Sequence, residues 1–246
     1  MTAPHFFASD VSGASVVLVG EDARHAIRVL RIRAGEQITV SNGAGEVVRA
    51  IVTTPDGGSG PGATGPLTAD VSERWTESPF RPAIHVFQAI PKTGKLDLVV
   101  QKLTELGVEV IQPFPAARSI VRWDARKASA QTQRLAAIAR EAAKQSRRAW
   151  LPEVRSPQRL ESLELPACTL VLDEEAEDRV GEVLPSEPPE TIGIVVGPEG
   201  GFGQEEVAVL RVRGADPVTL GPVILRTETA ALVAVVVACV RYGRLG

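Results

Sequence analysis

The sequence predicts a protein of two parts, a β-rich first part that forms a small barrel and an α/β second part with a mostly parallel sheet. Three observations lead to this prediction. Short strands joined by tight turns fill the chain up to residue 75. After the segment 76–82, strands alternate with helices. The later strands are almost continuously apolar, which is typical of parallel strands covered on both faces. We therefore expect domains at 1–75 and 82–246.

The first part contains alternating segments that favour strands over helices. A short helix is predicted at Asp22–Arg31, with Ala23, Ile27 and Leu30 facing inward. Residues 55–66 are rich in Gly and Pro and predict a loop. The predicted strands are "SVVLVG", "EQITV", "EVVRAIVTT", which follows the turn "SNGAG", and "LTADVSERW".

The second part follows the pattern of crossover units. Helices are predicted in "GKLDLVVQKLTELG", whose apolar residues share one face, and over 124–148. Helices between parallel strands imply right-handed crossovers. The predicted strands are "AIHVFQAI", "VEVIQPF", "CTLVLDE", "TIGIVVG" and "DPVTLG".

The charge of the chain is unevenly distributed. The 246 residues carry a net charge of −3, yet residues 81–160 hold 15 basic and 6 acidic groups, a net charge of +9. Such a block attracts polyanions even in a mildly acidic protein. Twenty-two of the 27 basic residues are Arg, whose planar guanidinium matches phosphate. A general preference for Arg explains the same count, so this number alone does not identify a partner.

The composition argues against a membrane protein, a disulfide-stabilised protein and a histidine-based metal site. Met1–Asp10 lacks the basic and apolar regions of a signal peptide, and Ala230–Val240 is too short to span a bilayer. The two cysteines give neither a metal spacing nor a disulfide framework, and the three histidines are scattered. We expect a cytoplasmic protein that uses no metal.

Two turns near the C-terminus are the strongest candidates for a binding site. "GPEGGFG", Gly197–Gly203, follows one buried strand, and "LGPVILRTETA", Leu220–Ala230, follows another. Glycine lets backbone amides approach a ligand closely, and ligands of open α/β sheets bind at the carboxyl ends of the strands. The turn Gly197–Gly203 does not have the spacing of a dinucleotide or triphosphate site. Ordinary strand-to-helix turns remain an alternative, with Thr227 as an N-cap.

The two turns and the strand end at Leu172 predict a pocket with three walls. Its polar groups would come mainly from the backbone, and its apolar side chains would form the floor. Such a pocket suits an adenosine better than a phosphate group.

These two motifs resemble the signature of the SPOUT class of methyltransferases, and within it the RsmE family. "HAIRVLRIRAGE", "KLDLVVQKLTELGV" and "REAAKQSRR" before "LPEV" are also similar to that family, so the resemblance covers nearly the whole chain. It implies a PUA-like RNA-binding barrel followed by an α/β domain with a deep trefoil knot. It also implies methylation of N3 of a uridine in 16S rRNA of the small ribosomal subunit, near the decoding centre. Val223 departs from the pattern, because many relatives have Arg at that position.

The resemblance further implies a cofactor and a quaternary structure. S-adenosyl-L-methionine would be held mainly by backbone groups, and the family's members are homodimers, for which the apolar last helix offers a face. That helix fits an internal core helix equally well. The expected cofactor-binding residues are Leu172, Gly197, Glu199, Gly200, Gly201, Leu220, Gly221 and Leu225.

The chemistry of the expected reaction suggests two catalytic residues. Uridine N3 becomes a good nucleophile only when its proton leaves, and a nearby guanidinium favours the uracil anion. Arg226 is the candidate for this role. Glu228 is a candidate proton acceptor, although a role at the helix N-terminus explains it equally well.

Several basic residues are candidates for RNA contacts. Arg24, Arg28 and Arg31 follow the spacing of one helix face and suit a phosphate backbone, although a solvated basic face has the same pattern. The other candidates are Arg118, Arg122, Arg126, Lys144, Arg147 and Arg148.

Two alternatives to uridine methylation remain at this point. A SPOUT enzyme that methylates a ribose 2′-hydroxyl would share the cofactor motifs. A non-catalytic ribosome assembly factor would keep the basic barrel but need no intact methyl-donor pocket. Binding of S-adenosylmethionine separates the second alternative from both enzymes.

Overall fold

A computed structural model of the chain describes residues 3–55, 65–92, 94–121 and 123–246. Most of the Gly- and Pro-rich loop predicted at 55–66 lies outside these residues. The chain divides into two compact units. The first comprises Met1–Pro79 and Ala143–Leu151, and the second comprises Phe80–Ala142 and Pro152–Gly246.

The first unit is built on a five-stranded sheet with the order β1-β3-β4-β5-β2. Strand β1 pairs with β3 in parallel, and the other pairs are antiparallel. Alternate residues of the strands point into one core, in which Ile38, Val48 and Leu67 are fully buried. The strands are β1 (His5–Phe7), β2 (Ser15–Leu18), β3 (Gln37–Ser41), β4 (Glu46–Pro55) and β5 (Leu67–Thr76).

The helical segment of the first unit differs from the regular helix predicted at Asp22–Arg31. Helix α1 (Gly20–Arg24) continues into one π-helical stretch, His25–Val29, where the Leu30 amide bonds to the His25 carbonyl at 3.0 Å. The wider turn rotates the following residues away from their α-helical positions. Leu30, predicted to face inward, is consequently 43% exposed, whereas Ala26 is buried. The prediction for Leu30 was wrong.

The second unit contains a six-stranded sheet in which every neighbouring pair is parallel, as predicted. The strand order is β11-β9-β10-β6-β7-β8. The strands are β6 (Ala83–Ala89), β7 (Val110–Phe114), β8 (Glu153–Val154), β9 (Cys168–Leu172), β10 (Thr191–Val196) and β11 (Ala215–Val218).

Helices cover both faces of this sheet and explain why its strands are apolar on both sides. Val86 and Ile194 pack into one buried cluster, and Phe87 and Val195 pack into another. The helices are α2 (Lys95–Glu105), α3 (Ala125–Gln145), α4 (Val180–Val183), α5 (Gln204–Val212) and α6 (Thr227–Arg241), with a 3₁₀ turn at Leu160–Ser162. The last residues of α3 belong to the first unit.

Helix α3 ends earlier than the predicted residue 148. Its last helical residue is Gln145, and Arg147 has a left-handed backbone with φ of 55°. Helix α6 packs one face into the core through Ala231, Val235 and Cys239. Among the described residues, no helix is long and apolar enough to cross a membrane, and no cluster of His, Cys, Asp and Glu is placed to hold a metal.

Candidate functional site

A cavity of about 1090 Å³ lies in the second unit where three neighbouring strands end. Strands β11, β9 and β10 are adjacent in the sheet, so the loops that follow them meet at one edge. The loop after β9 contributes Asp173, the loop after β10 contributes the residues of Gly197–Gly203 other than Gly200, and the loop after β11 contributes Thr219–Arg226. The cavity is therefore a product of strand order and not of one local motif.

Two positions in the loop after β10 favour glycine, each for a different structural reason. Gly201 has a left-handed backbone with φ of 67°, and its amide donates to the Pro198 carbonyl at 3.0 Å, which closes a tight turn. A Cβ atom at Gly197 would lie 3.2 Å from the Phe202 ring. The ring of Phe202 stacks beside Phe114 and holds the loop against the apolar core.

The loop after β11 turns at Gly221, whose φ of 120° favours glycine. The Thr219 hydroxyl accepts the Gly221 amide at 3.2 Å and stabilises this turn. The amides of Leu220 and Leu225 donate to no protein group among the residues described by the structure. Both residues line the cavity, so their amides are available to a ligand.

A buried hydrogen-bond chain joins the loop after β10 to the start of α6. The Thr227 hydroxyl donates to the Gly197 carbonyl at 2.6 Å and accepts the Gln88 side-chain amide at 2.9 Å. Gln88 lies near the end of the central strand β6 and is fully buried. Arg226, and not Thr227, occupies the N-cap position of α6. The alternative reading of Thr227 as an N-cap was therefore wrong.

A charged contact joins the same two segments closer to solvent. The Lys95 ammonium lies 3.3 Å from the Glu199 carboxylate and 3.2 Å from the Glu228 carboxylate. Hydrogen bonding to Glu228 raises the pKa of Lys95. Burial by itself raises the pKa of Glu199, but hydrogen bonds from its own amide and the Lys92 amide, together with Lys95, outweigh burial and lower that pKa. Lys95 and Glu199 are therefore charged at neutral pH.

Arg226 is placed differently from these paired residues. It lines the cavity at its exposed rim and adopts an extended backbone just before α6. Its guanidinium forms no ion pair or hydrogen bond with any residue in the described ranges. A free guanidinium at the edge of a cavity is able to stabilise negative charge on a bound molecule.

The structure brings most of the predicted cofactor residues together. Gly200 lies in the same loop and accepts a hydrogen bond from the Arg118 guanidinium at 2.8 Å. Glu228 lies on the first turn of α6, and its carboxylate is turned to Lys95. The predicted cofactor residues that line the cavity are Leu172, Gly197, Glu199, Gly201, Leu220, Gly221 and Leu225.

The predicted RNA-binding residues divide into exposed and buried groups. Arg148 is only 6% exposed, and Lys144 is 9% exposed and pairs with Asp22 at 2.6 Å. Their inclusion in a basic surface was wrong, because the sequence pattern does not show which side of α3, or of the segment that follows it, the core occupies. Arg122 lies outside the described residues. The exposed residues are Arg24, Arg28, Arg31 and Arg147 in the first unit, and Arg118 and Arg126 in the second.

Two residues of the site were missed by the sequence analysis. Gln88 is a polar residue within an otherwise apolar strand, and Lys95 begins a helix directly after a glycine. Both are unusual for their positions, since buried strand residues are mostly apolar and cations oppose the dipole of a helix N-terminus. These irregularities were the available signals.

Comparison with known protein families gives two matches. A model described as an RNA methyltransferase domain matches residues 76–238. A model described as an RNA methyltransferase PUA domain matches residues 18–59. The chain thus carries an N-terminal PUA-like domain followed by an α/β domain with a parallel sheet, as the resemblance implied.

Similar sequences and structures support the same assignment. Ribosomal RNA small subunit methyltransferase E of Mycobacterium bovis is 38% identical, over 91% of this chain and 85% of that relative. The Bacillus subtilis protein of the same name is 31% identical, over 88% and 86%. The solved Neisseria gonorrhoeae protein of that name, bound to S-adenosyl methionine, has a TM-score of 0.84 and 29% identity over 97% and 98%.

A Legionella pneumophila methyltransferase solved with bound SAM has a TM-score of 0.85 and 28% identity, over 98% of each chain.

Proposed function

Because the chain belongs to the RNA methyltransferase family, together with the ribosomal RNA small subunit methyltransferases E, we propose that it methylates N3 of a uridine in 16S rRNA with S-adenosylmethionine as methyl donor. The observation that carries the proposal is the cavity at the ends of β9, β10 and β11, with Arg226 unpaired at its rim. Action on 16S rRNA also implies a cytoplasmic location.

The residues of the cavity fit the proposed cofactor. Leu172, Leu220 and Leu225 supply apolar surface for an adenine ring, and the free amides of Leu220 and Leu225 offer donors to its nitrogens. A cavity of about 1090 Å³ slightly exceeds the range for small-molecule sites, about 300–1,000 Å³, so it has room for the whole donor. When bound, S-adenosylmethionine supplies an activated methyl group on a sulfonium. Two of the similar structures were solved with this molecule, which supports the proposal.

The protein's part in the reaction is positioning and electrostatics. We assign Arg226 to stabilise the uracil anion that forms when the N3 proton leaves. A bond then forms between N3 and the methyl carbon as the carbon–sulfur bond breaks, with both groups held in line. Glu228 stays a candidate proton acceptor, although its carboxylate lies 3.2 Å from the Lys95 ammonium and is turned to that group.

RNA would be held by the exposed arginines of the chain. Arg24 and Arg28 lie on the α1 and π-helical segment of the first unit, Arg31 follows this segment, and all three are exposed. Guanidinium groups contact phosphates without reading sequence, so they supply affinity and not the choice of uridine. Arg118, Arg126 and Arg147 are further candidates.

The homodimer implied by the resemblance is part of the proposal. Val236 and Val240 lie on α6 and are 37% and 55% exposed, which is unusual for apolar residues of a helix packed against a core. A second copy of the chain would bury them. Light scattering after gel filtration tests this part, with a dimer mass expected and a monomer mass opposing it.

The acceptor atom is tested by nucleoside mass spectrometry of 16S rRNA. A deletion strain should lose 3-methyluridine, and the wild-type gene should restore it while the Arg226→Ala gene should not. Loss of a 2′-O-methylated nucleoside instead would support the ribose alternative. An unchanged nucleoside pattern would support a non-catalytic role.

A further inference from the structure

We infer that Lys95 is a positioning residue for the methyl-donor cavity, because its ammonium holds together two segments that must both contact the donor. This inference rests on the proposed function. One segment is the loop Gly197–Gly203, and the other is the start of α6 with Arg226 beside it. Lys95 itself does not line the cavity and acts only through Glu199 and Glu228.

The location of Lys95 is unfavourable for the helix that carries it. It is the first residue of α2, where the backbone dipole and the unpaired amides repel a cation. The preceding Gly94 provides no side-chain cap. The two carboxylates that compensate for this charge come from the loop after β10 and from α6, and neither comes from α2. The lysine therefore links three elements and does not serve its own helix.

Partial burial strengthens this link. The side chains of Lys95, Glu199 and Glu228 are 29%, 25% and 13% exposed. Water screens such a contact less than it screens a surface ion pair, which typically contributes little. The Lys92 amide, between β6 and α2, also donates to the Glu199 carboxylate at 3.0 Å. The carboxylate is thus fixed between a backbone donor and the ammonium.

Removal of the Lys95 charge would separate the two segments that it holds together. Two carboxylates that both contact one ammonium are close enough to repel each other once it is absent. Glu199 and Glu228 would then push the loop and α6 apart, while the part-buried hydrogen bond of Thr227 with Gly197 still holds their inner ends. We expect the cavity to lose affinity for the donor although the fold persists.

The test compares Lys95→Met with Lys102→Met. Lys102 lies on the same helix and pairs with Glu105 at 2.8 Å, and it does not line the cavity. Calorimetry with S-adenosylmethionine should show a dissociation constant about 5- to 50-fold higher for Lys95→Met, as expected for loss of a part-buried ion pair that is partly screened. The Lys102→Met protein should match the wild type within about twofold.

Two further variants separate positioning from simple stability. Lys95→Arg keeps the charge and should bind the donor within about threefold of the wild type. Adding Glu228→Gln to Lys95→Met removes the repulsion between the two carboxylates and should recover part of the lost affinity for the donor. Without ligand, the melting temperatures of the Lys95 variants should be similar to that of Lys102→Met.

The inference fails if Lys95→Met binds S-adenosylmethionine like the wild type. It also fails if Lys95→Arg is as weak as Lys95→Met, or if the second substitution recovers nothing. Should Lys95→Met not fold, Lys95→Gln and Lys95→Arg provide the same comparison. Absence of binding by the wild-type protein would instead overturn the proposed function itself.

Discussion

The Thr227 hydroxyl donates a hydrogen bond of 2.6 Å to the Gly197 carbonyl, and this contact connects the two loops that form most of the cavity. Gly197 follows β10, whereas Thr227 begins α6 after β11, so the two residues come from different crossover units of the sheet. Gln88 supports the contact from the central strand, at 2.9 Å from the Thr227 oxygen. The separation of the two loops is thus set inside the protein core and does not depend on the bound molecule.

Replacement of Thr227 by Val should weaken both the fold and donor binding. The change removes the donor of the part-buried Gly197 carbonyl and an acceptor of the buried Gln88 amide, a loss of about 1–3 kcal/mol. The unfolding midpoint should fall by about 2–10 °C, and calorimetry should show weaker binding of S-adenosylmethionine. Thr227→Ser keeps the hydroxyl and serves as the control. Equal behaviour of the Val and Ser proteins would show that the hydrogen bond is unimportant.

Replacement of Arg226 by Ala should separate binding from catalysis. The guanidinium stabilises charge that develops only during the reaction, so methyl transfer should fall at least about 100-fold. The dissociation constant for S-adenosylmethionine should change by less than about threefold. Single-turnover rates and calorimetry measure the two effects. A variant with full activity would remove Arg226 from the mechanism.

Gly221→Ala should reduce donor affinity through the backbone alone. A Cβ atom there meets nothing within 4 Å, but φ of 120° is strained for alanine, at a cost of about 1–3 kcal/mol. Gly214, with φ of 86° and equally open space, does not line the cavity and provides the matched control. Both variants should lose stability in urea, and only Gly221→Ala should also bind S-adenosylmethionine less tightly. Equal donor affinity in the two variants would argue against a role for this turn.

Arg28→Ala should weaken RNA binding without affecting the cofactor cavity. Loss of one phosphate contact lowers affinity for all RNA sequences and reduces the salt dependence by about one unit of slope. Arg49→Gln is the control, because Arg49 lies in the same unit, is partly exposed, and has its guanidinium engaged with Glu73 and stacked on Trp75. Filter binding at several salt concentrations provides the measurement. An unchanged slope for Arg28→Ala would indicate a merely solvated charge.

His5 should make the first unit sensitive to acid. Burial lowers the pKa of His5 from 6.5 to about 4. Between about pH 6.5 and pH 4, His5 is protonated in the unfolded chain but stays neutral in the folded chain. The free energy of unfolding therefore falls as the pH decreases through this window. The loss approaches about 3 kcal/mol at the acid end. Urea unfolding of His5→Gln between pH 7 and 4 should show a shallower dependence, and an identical dependence would assign the effect to other groups.

The sequence predicted the second unit better than the first. Continuous apolar strands such as Thr191–Val196 indicate burial on both faces, so the parallel sheet followed from composition and order. The π-helical turn at His25–Val29 has no comparable signature, and it moved Leu30 to the surface. The orientation of Lys144 and Arg148 also depended on tertiary packing, which local periodicity does not encode.

The residues of the cavity were predicted from loop motifs, but their connections were not. The glycines and Arg226 were identified from their residue types and from their positions directly after predicted buried strands. The contacts of Gln88 with Thr227 and of Lys95 with Glu228 join residues far apart in the chain. Only the strand order, in which β6 lies beside β10, brings these elements together. The deep knot implied by the resemblance stays a prediction.

The most direct test of the account is methylation by the purified protein with S-adenosylmethionine that carries a trideuterated methyl group. Small ribosomal subunits from a strain lacking the gene serve as substrate, and digested 16S rRNA is analysed by mass spectrometry. The account predicts trideuterated 3-methyluridine with the wild-type protein and none with Arg226→Ala. Label found only in a 2′-O-methylated nucleoside, or no label in rRNA at all, would contradict it.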